Sequence, residues 1–230
     1  MGSDGIKIGV IGAGAWGTAL ARLLASSGNS VQLWCHEPET AKNILQKHVN
    51  TSFLPDILLP ESLGASTDLL EIVRNSRILV AAPPSHLTRE IAKKIRPEIT
   101  AEHILLILSK GIEQHSLALM SEIFAEELDN LPKLAVLSGP TFAREVALDL
   151  PSAAVLACAD ETAGSLLQKC FHSDRFRIYR STDLVGVQLG GSIKNVIAIA
   201  SGIADGMQLG LNARAALICR GVAEMSRLGT

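Results

Sequence analysis

The sequence predicts an α/β protein: a doubly wound, mostly parallel sheet followed by the start of an all-α C-terminal domain. Three observations predict it. Continuous apolar runs alternate with helical patterns as far as residue 182, which is how parallel strands covered on both faces read in sequence. A glycine-rich turn directly follows the first of these runs. From Asp183 the strand signal stops and two helical stretches follow.

Taken in order, Ile6 to Ile11 reads as a strand and Trp16 to Ser27 as a helix stopped by Gly28-Asn29. Val31 to Cys35 is the second strand. Arg77 to Ala82 is an apolar strand closed by Pro83-Pro84, which cannot donate to a ladder. Ser85 to Lys94 reads as a helix with Ser85 as N-cap. Ile104 to Leu108 is a buried strand with a turn at Lys110-Gly111, and Leu117 to Leu128 is an amphipathic helix. Leu134 to Leu137 is a strand ending at Ser138-Gly139-Pro140. Ala153 to Ala157 and Phe176 to Tyr179 are strands flanking a helix at Glu161 to Phe171. The helical stretches run from Leu184 to Asp205 and from Ala213 to Leu228, so the expected domains are residues 1–182 and 183–230.

Composition narrows the function classes. Aromatic residues make up 3% of the chain and the net charge is -2, with both signs dispersed. Neither a base-stacking platform nor a basic stripe for a phosphate backbone is expected, so no nucleic-acid partner is. Cys35, Cys158, Cys170 and Cys219 form no C-x-x-C pair and read as buried small hydrophobes in a reducing compartment; no metal site is expected. Met1-Gly2-Ser3-Asp4-Gly5 shows no basic and apolar leader pattern, and no apolar run of membrane-spanning length is apparent. The expectation is a soluble cytoplasmic protein without membrane insertion.

The turn Gly12-Ala13-Gly14-Ala15-Trp16-Gly17 follows a strand and opens a helix. In such a Rossmann-like unit the first glycine permits the tight turn, the second lets the backbone approach a pyrophosphate, and the third lets helix and strand pack closely. The helix N-terminus then offers free N–H groups and its dipole to the anion. A dinucleotide is therefore the expected ligand. At the end of the second strand His36 stands where a ribose-binding carboxylate often sits, and Glu37 follows. A carboxylate there favours NAD, whereas His36 tolerates or attracts a 2′-phosphate and leans toward NADP. His36 reads equally as an exposed loop histidine.

Three segments carry further chemistry. Lys110 lies just past a strand's carboxyl end, the edge where doubly wound sheets bind ligands, although a loop lysine is often only solvated. Ser138-Gly139-Pro140-Thr141-Phe142-Ala143 occupies a similar strand end. Lys194-Asn195 interrupts a helical surface of small and apolar residues, where burial would lower a lysine's proton affinity toward use as a proton acceptor.

These segments, with Asn50-Thr51-Ser52-Phe53-Leu54-Pro55, Val80-Ala81-Ala82-Pro83-Pro84-Ser85-His86, Gly186-Val187-Gln188-Leu189-Gly190-Gly191 and Asn212-Ala213-Arg214 to Arg227-Leu228-Gly229, closely resemble the bacterial type of NAD(P)-dependent glycerol-3-phosphate dehydrogenase, in order along the whole chain. The resemblance implies interconversion of sn-glycerol 3-phosphate and dihydroxyacetone phosphate with NADP or NAD, serving phospholipid synthesis. It implies that Lys194 is the proton acceptor at the substrate C2 hydroxyl and that Lys110 touches both substrate and cofactor. Gly139 and Thr141 match substrate contacts, Ala143 a cofactor contact, and Ala15, Trp16 and His36 cofactor-binding positions. Ala15 replaces the more usual serine. Asn195 would orient Lys194 or the substrate oxygen.

In such enzymes the helical domain continues further and carries an aspartate and an Arg-Asn pair at the site. The chain is thus expected to be truncated in that domain, with exposed apolar helix faces and a possible homodimer. Two other readings stay open: a non-catalytic dinucleotide-binding fragment, and a related hydroxyacid or sugar-acid dehydrogenase. The Ser138–Thr141 and Gly190–Asn195 segments favour the phosphorylated triol over the latter.

Overall fold

The structure, a computed structural model, describes residues 5–228 of the 230. Readings that fall on residues 1–4, Gly229 and Thr230 lie outside the described residues. The elements are β1 (Lys7–Ile11), α1 (Ala15–Ser26), β2 (Ser30–Trp34), α2 (Pro38–Lys47), β3 (Gly64–Ser66), α3 (Leu69–Asn75), β4 (Ile78–Ala81) and α4 (Thr88–Ile95). They continue with β5 (Ile104–Ile107), α5 (Met120–Glu127), β6 (Lys133–Ser138), α6 (Ala143–Ala147), β7 (Ser152–Cys158), α7 (Glu161–Phe171), β8 (Phe176–Ser181), α8 (Leu184–Gly206) and α9 (Gly210–Leu228).

The strands form one sheet in the order β3-β2-β1-β4-β5-β6-β7-β8. Every neighbouring pair is parallel except β6 and β7. Strand residues alternate between two cores, as the pleat requires. Ile8, Val10, Ile78, Val80, Ile104 and Leu106 face one core, filled from α1, α2, α6 and α7. Ile11, Leu79, Ala81, Leu105 and Ile107 face the other, filled from α3, α4 and α5 and joined by Leu184 and Val187 of α8. Strands buried on both sides read as unbroken apolar runs, which is why β1, β4 and β5 were legible. The sheet order reverses between β1 and β4, opening a crevice at their carboxyl ends.

Several elements depart from expectation. α2, β3 and α3 have no counterpart among the expected elements. Ser85 does not cap α4: Pro84 leaves the chain extended at ψ 139°, Ser85–Leu87 forms a 3₁₀ turn, and α4 begins at Thr88. α5 begins at Met120, because Leu117 has φ 59° and cannot lie in a right-handed helix. Cys35, Cys158 and Cys170 are buried as expected, but Cys219 is exposed on α9. By length and composition α8, 23 residues long with an 18-residue stretch at a mean hydropathy of 1.3, is long and apolar enough to cross a membrane, contrary to the reading of the bare sequence.

The loop between β5 and α5 is held by charge. Arg89 on α4 donates to both carboxylate oxygens of Glu113 at 2.8 and 2.7 Å and also pairs with Glu126 and Glu127 of α5. Ser116 Oγ adds a hydrogen bond to Glu113. The Arg89 and Ser116 donors hold the Glu113 carboxyl at about 2. A carboxylate whose folded value is depressed contributes stability above its ordinary 4.5, and that contribution fades as pH falls through about 2. Glu113→Gln is therefore expected to melt below the wild type at neutral pH, and the gap should close on acidification toward pH 2. Melting curves across that range test this; a gap independent of pH would contradict it.

Candidate active site

α1 supplies the anion-receptive end of the site. Asp68, Asp160 and Asp183 each accept a first-turn N–H of α3, α7 and α8, respectively. α1 has Gly14 at its N-cap, no side-chain cap and no acidic residue in its first turn. Its amino end is left for an outside anion. Gly12 holds φ 114°. A Cβ on Gly17 would lie 2.0 Å from the Gly12 carbonyl oxygen, so only glycine lets α1 cross the turn this closely. A Cβ on Gly14 would meet nothing within 4 Å, because it would project into the open crevice.

Asn50 fixes this turn. It is buried and donates to the Ala13 carbonyl at 2.8 Å and to Thr18 Oγ1 at 2.9 Å, while accepting from the Phe53 N–H. The sequence around Asn50 resembles the family's segment but names no task for this residue. A buried asparagine following a helix carries no local pattern that names its partner 37 residues away.

Above the turn lies a cleft of 680 Å³, within the roughly 300–1,000 Å³ usual for ligand sites. Gly12, Gly14, Ala15, Trp16 and Gly17 form one wall, and Pro83, Ser109 and Lys110 the opposite one. The opposite wall is tied together by Ser109 Oγ donating to the Pro83 carbonyl at 2.6 Å. The Trp16 side chain lines this cleft, but its Nε1 is buried and has no hydrogen-bond partner. At the far end stand Trp34, His36, Glu37, Glu90 and Lys94. His36 is exposed and meets the Trp34 ring edge-on, with centroids 6.0 Å apart. Lys94, paired to Glu90 at 2.7 Å, and secondarily His36, lower the Glu90 proton affinity. This end thus presents both charge signs, and the lean toward NADP drawn from His36 alone gains no support from it.

A second cavity of 410 Å³ adjoins the first and is lined by Ser138, Gly139, Thr141, Gly190, Gly191 and Lys194. Thr141 lines both cavities. Lys110 stands where they meet: it lines the cleft, and its Cγ would lie 3.8 Å from a Cβ on Gly191. Burial, and next the neighbouring Lys194 ammonium, lower the proton affinity of Lys110. Lys194 itself is half-buried. A larger cavity of 770 Å³, lined by Lys7, Arg77, His103 and Lys133, sits at the opposite, amino edge of the sheet, away from the crevice.

Two candidates fall outside these cavities. Asn195 is exposed, lines neither, and makes no hydrogen bond to Lys194. Consecutive helix residues point about 100° apart, so they do not face each other. Ala143 opens α6 and packs its side chain against the core, lining neither cavity. The residues held by the fold around the site are suited to a dinucleotide phosphate at the α1 end and, near Thr141, to a small anion beside two lysines.

Comparison with known proteins gives a consistent result. Residues 7–164 match the family model described as the NAD-dependent glycerol-3-phosphate dehydrogenase N-terminus, and residues 183–230 match the one for its C-terminus. The chain is 49% identical over 225 residues to a glycerol-3-phosphate dehydrogenase [NAD(P)+] of Citrifermentans bemidjiense, covering 97% of this chain and 67% of that protein. It is 46% identical to the protein of the same name from Syntrophotalea carbinolica, covering 97% and 68%. Among solved structures, glycerol-3-phosphate dehydrogenase from Coxiella burnetii is similar at a TM-score of 0.91 and 41% identity, covering 97% of this chain and 68% of the other. The yeast enzyme is similar at 0.87 and 29%, covering 98% and 70%. The chain therefore spans about two thirds of the length of the curated relatives it matches.

Proposed function

The chain belongs to the NAD-dependent glycerol-3-phosphate dehydrogenase family, and from that premise we propose a site-by-site account of how it interconverts sn-glycerol 3-phosphate and dihydroxyacetone phosphate. The observation that carries it is the meeting of a dinucleotide cleft and a smaller cavity at Thr141, with Lys110 and Lys194 beside that junction.

Residues 1–182 form the dinucleotide-binding domain and residues 183–230 begin the substrate domain. The gap between the two family matches and the start of α8 at Leu184 support this division. NAD or NADP fits the cleft: the open space above Gly14 and the uncapped end of α1 suit its pyrophosphate. When bound, the nicotinamide supplies or receives the hydride exchanged with substrate C2. Gly12, Gly14, Ala15, Trp16 and Gly17 hold the dinucleotide, with His36 at its far end and the backbone of Ala143 near the substrate side.

Gly139 and Thr141 position the substrate in the smaller cavity. During oxidation Lys194 takes the C2 hydroxyl proton; during reduction it returns that proton to the oxygen, so hydride and proton together make the secondary alcohol. Lys110 places a second positive charge beside the oxygen on which negative charge develops, and touches both ligands. The Lys110 ammonium also complements the phosphoester. Asn195, exposed and outside both cavities, is assigned no contact with the substrate.

The product supplies phospholipid synthesis in the cytoplasm, in keeping with three buried thiols. The reading of α8 as a domain helix without membrane insertion is supported by its first half, which packs on β6 and β7 and buries Gln188 and Gly191. Val196, Ile199, Leu211 and Val222 leave an apolar face suited to a homodimer, which sedimentation would reveal.

The test is oxidation of NADPH and NADH by the purified 230-residue chain with dihydroxyacetone phosphate, followed at the nicotinamide absorbance. Turnover is the expected result. Cofactor binding without turnover would favour the second reading, a dinucleotide-binding fragment, for which the exposed faces of α8 and α9 speak. Failure to bind either cofactor would overturn both.

A further inference from the structure

α5 begins without a cap of its own. The residue before it, Leu119, has no side-chain acceptor, and its N–H is taken by Glu122 at 2.7 Å. The first turn of a helix leaves N–H groups that need acceptors. For Ser121 that acceptor comes from α8, 67 residues away: Gln188 Oε1 accepts the Ser121 N–H at 2.9 Å. The Gln188 Nε2 donates to Ser121 Oγ at 2.8 Å and to the Leu184 carbonyl at 3.0 Å. Both side chains are buried, and both amide hydrogens of Gln188 are used.

One turn further along the same face of α8, Ser192 Oγ accepts the Gly111 N–H at 3.0 Å and donates to the Gln188 carbonyl at 2.8 Å. The segment that leaves β5, carries Lys110 and enters α5 is thus tied to α8 at both ends. Gly191, between the two ties, lets α8 lie against Ser138 and the Lys110 side chain. Lys194 follows less than one turn later on the same helix.

From this arrangement we propose that Gln188 is a positioning residue: it fixes the height and rotation of α8 against the Lys110 loop, and so sets where Lys194 stands relative to Lys110 and the substrate. The proposal rests on the catalytic reading above. Gln188 lines neither cavity and does not touch the reacting atoms.

The test compares Gln188→Met with Gln188→Glu in the 230-residue chain. Methionine keeps the length and removes the amide. Glutamate can still accept the Ser121 N–H and O–H, and, buried beside the Leu184 carbonyl, it takes up a proton that replaces the Nε2 donor to that carbonyl. For Gln188→Met, kcat is expected to fall by about 10²-fold, the cost typical of ångström-scale misplacement, while cofactor affinity at the distant α1 end is unchanged. Gln188→Glu should recover most of the loss. Wild-type kcat in Gln188→Met, or equal losses in both variants that follow thermal unfolding, would overturn the proposal. A second readout is independent of turnover: acetic anhydride labelling of Lys110 against pH, by mass spectrometry. The Lys110 midpoint should rise toward that of an ordinary lysine in Gln188→Met and stay low in Gln188→Glu. An unmoved midpoint in Gln188→Met would overturn the positioning role. Absent wild-type turnover with this result intact would count against the catalytic reading alone.

Discussion

Replacing Lys194 with alanine is expected to lower kcat for dihydroxyacetone phosphate reduction by about 10²–10⁴-fold, the range usual for loss of a positioned general acid. Cofactor binding should survive, because Lys194 lines the smaller cavity and not the dinucleotide cleft. The effect should fall mainly on kcat if the lysine acts only as the proton moves. Removing the Lys194 ammonium also removes one of the two causes that lower the Lys110 proton affinity, so Lys110 should hold its proton to higher pH in the variant. Steady-state kinetics with calorimetric cofactor titration measure both quantities. Wild-type kcat in Lys194→Ala would take the proton-transfer role away from this residue.

The second large effect is expected at Gly17. A valine there would drive its Cβ to within 2.0 Å of the Gly12 carbonyl oxygen and 3.3 Å of the Ala82 Cβ. The nearer obstacle is backbone, so no side-chain rotation relieves the clash, and α1 must move off the turn. Overpacking at this severity costs about 3 kcal/mol or more. For a domain of this size that lowers Tm by roughly 6–12 °C. Dinucleotide binding should be lost with it, since the same movement displaces Gly14 and the amino end of α1. Gly14→Ala is the informative contrast. Its Cβ meets no protein atom within 4 Å, so the fold should melt as the wild type does while cofactor affinity falls. Calorimetric melting and cofactor titration of the pair separate the two roles. Equal Tm losses at both positions would show that the open space above Gly14 is not the ligand's place.

Local pattern was enough where one short stretch contains its own reasons. The β1–α1–β2 unit, the buried runs of β4 and β5, and α7 at Glu161–Phe171 were legible because period, cap and breaker residues lie within each segment. It failed at β3, whose Gly-Ala-Ser residues have little strand preference and are held only by pairing with β2. It failed at α2, a polar helix that buries Thr40, Ala41, Asn43 and Ile44. The start of α5 was misplaced because its first turn is satisfied from α8.

The candidate site divides the same way. By itself the sequence determined that a dinucleotide turn exists, where its glycines fall, and which family's motifs run along the chain. Tertiary structure alone decided that burial lowers the proton affinity of Lys110, that Asn195 turns away from Lys194, and which partners the buried amides of Asn50 and Gln188 find. The physical reason is range. Glycine spacing and apolar period act between neighbours, whereas burial of a charge and the partner of a buried amide depend on residues 37 and 67 positions away, brought near only when the sheet closes and α8 docks on it.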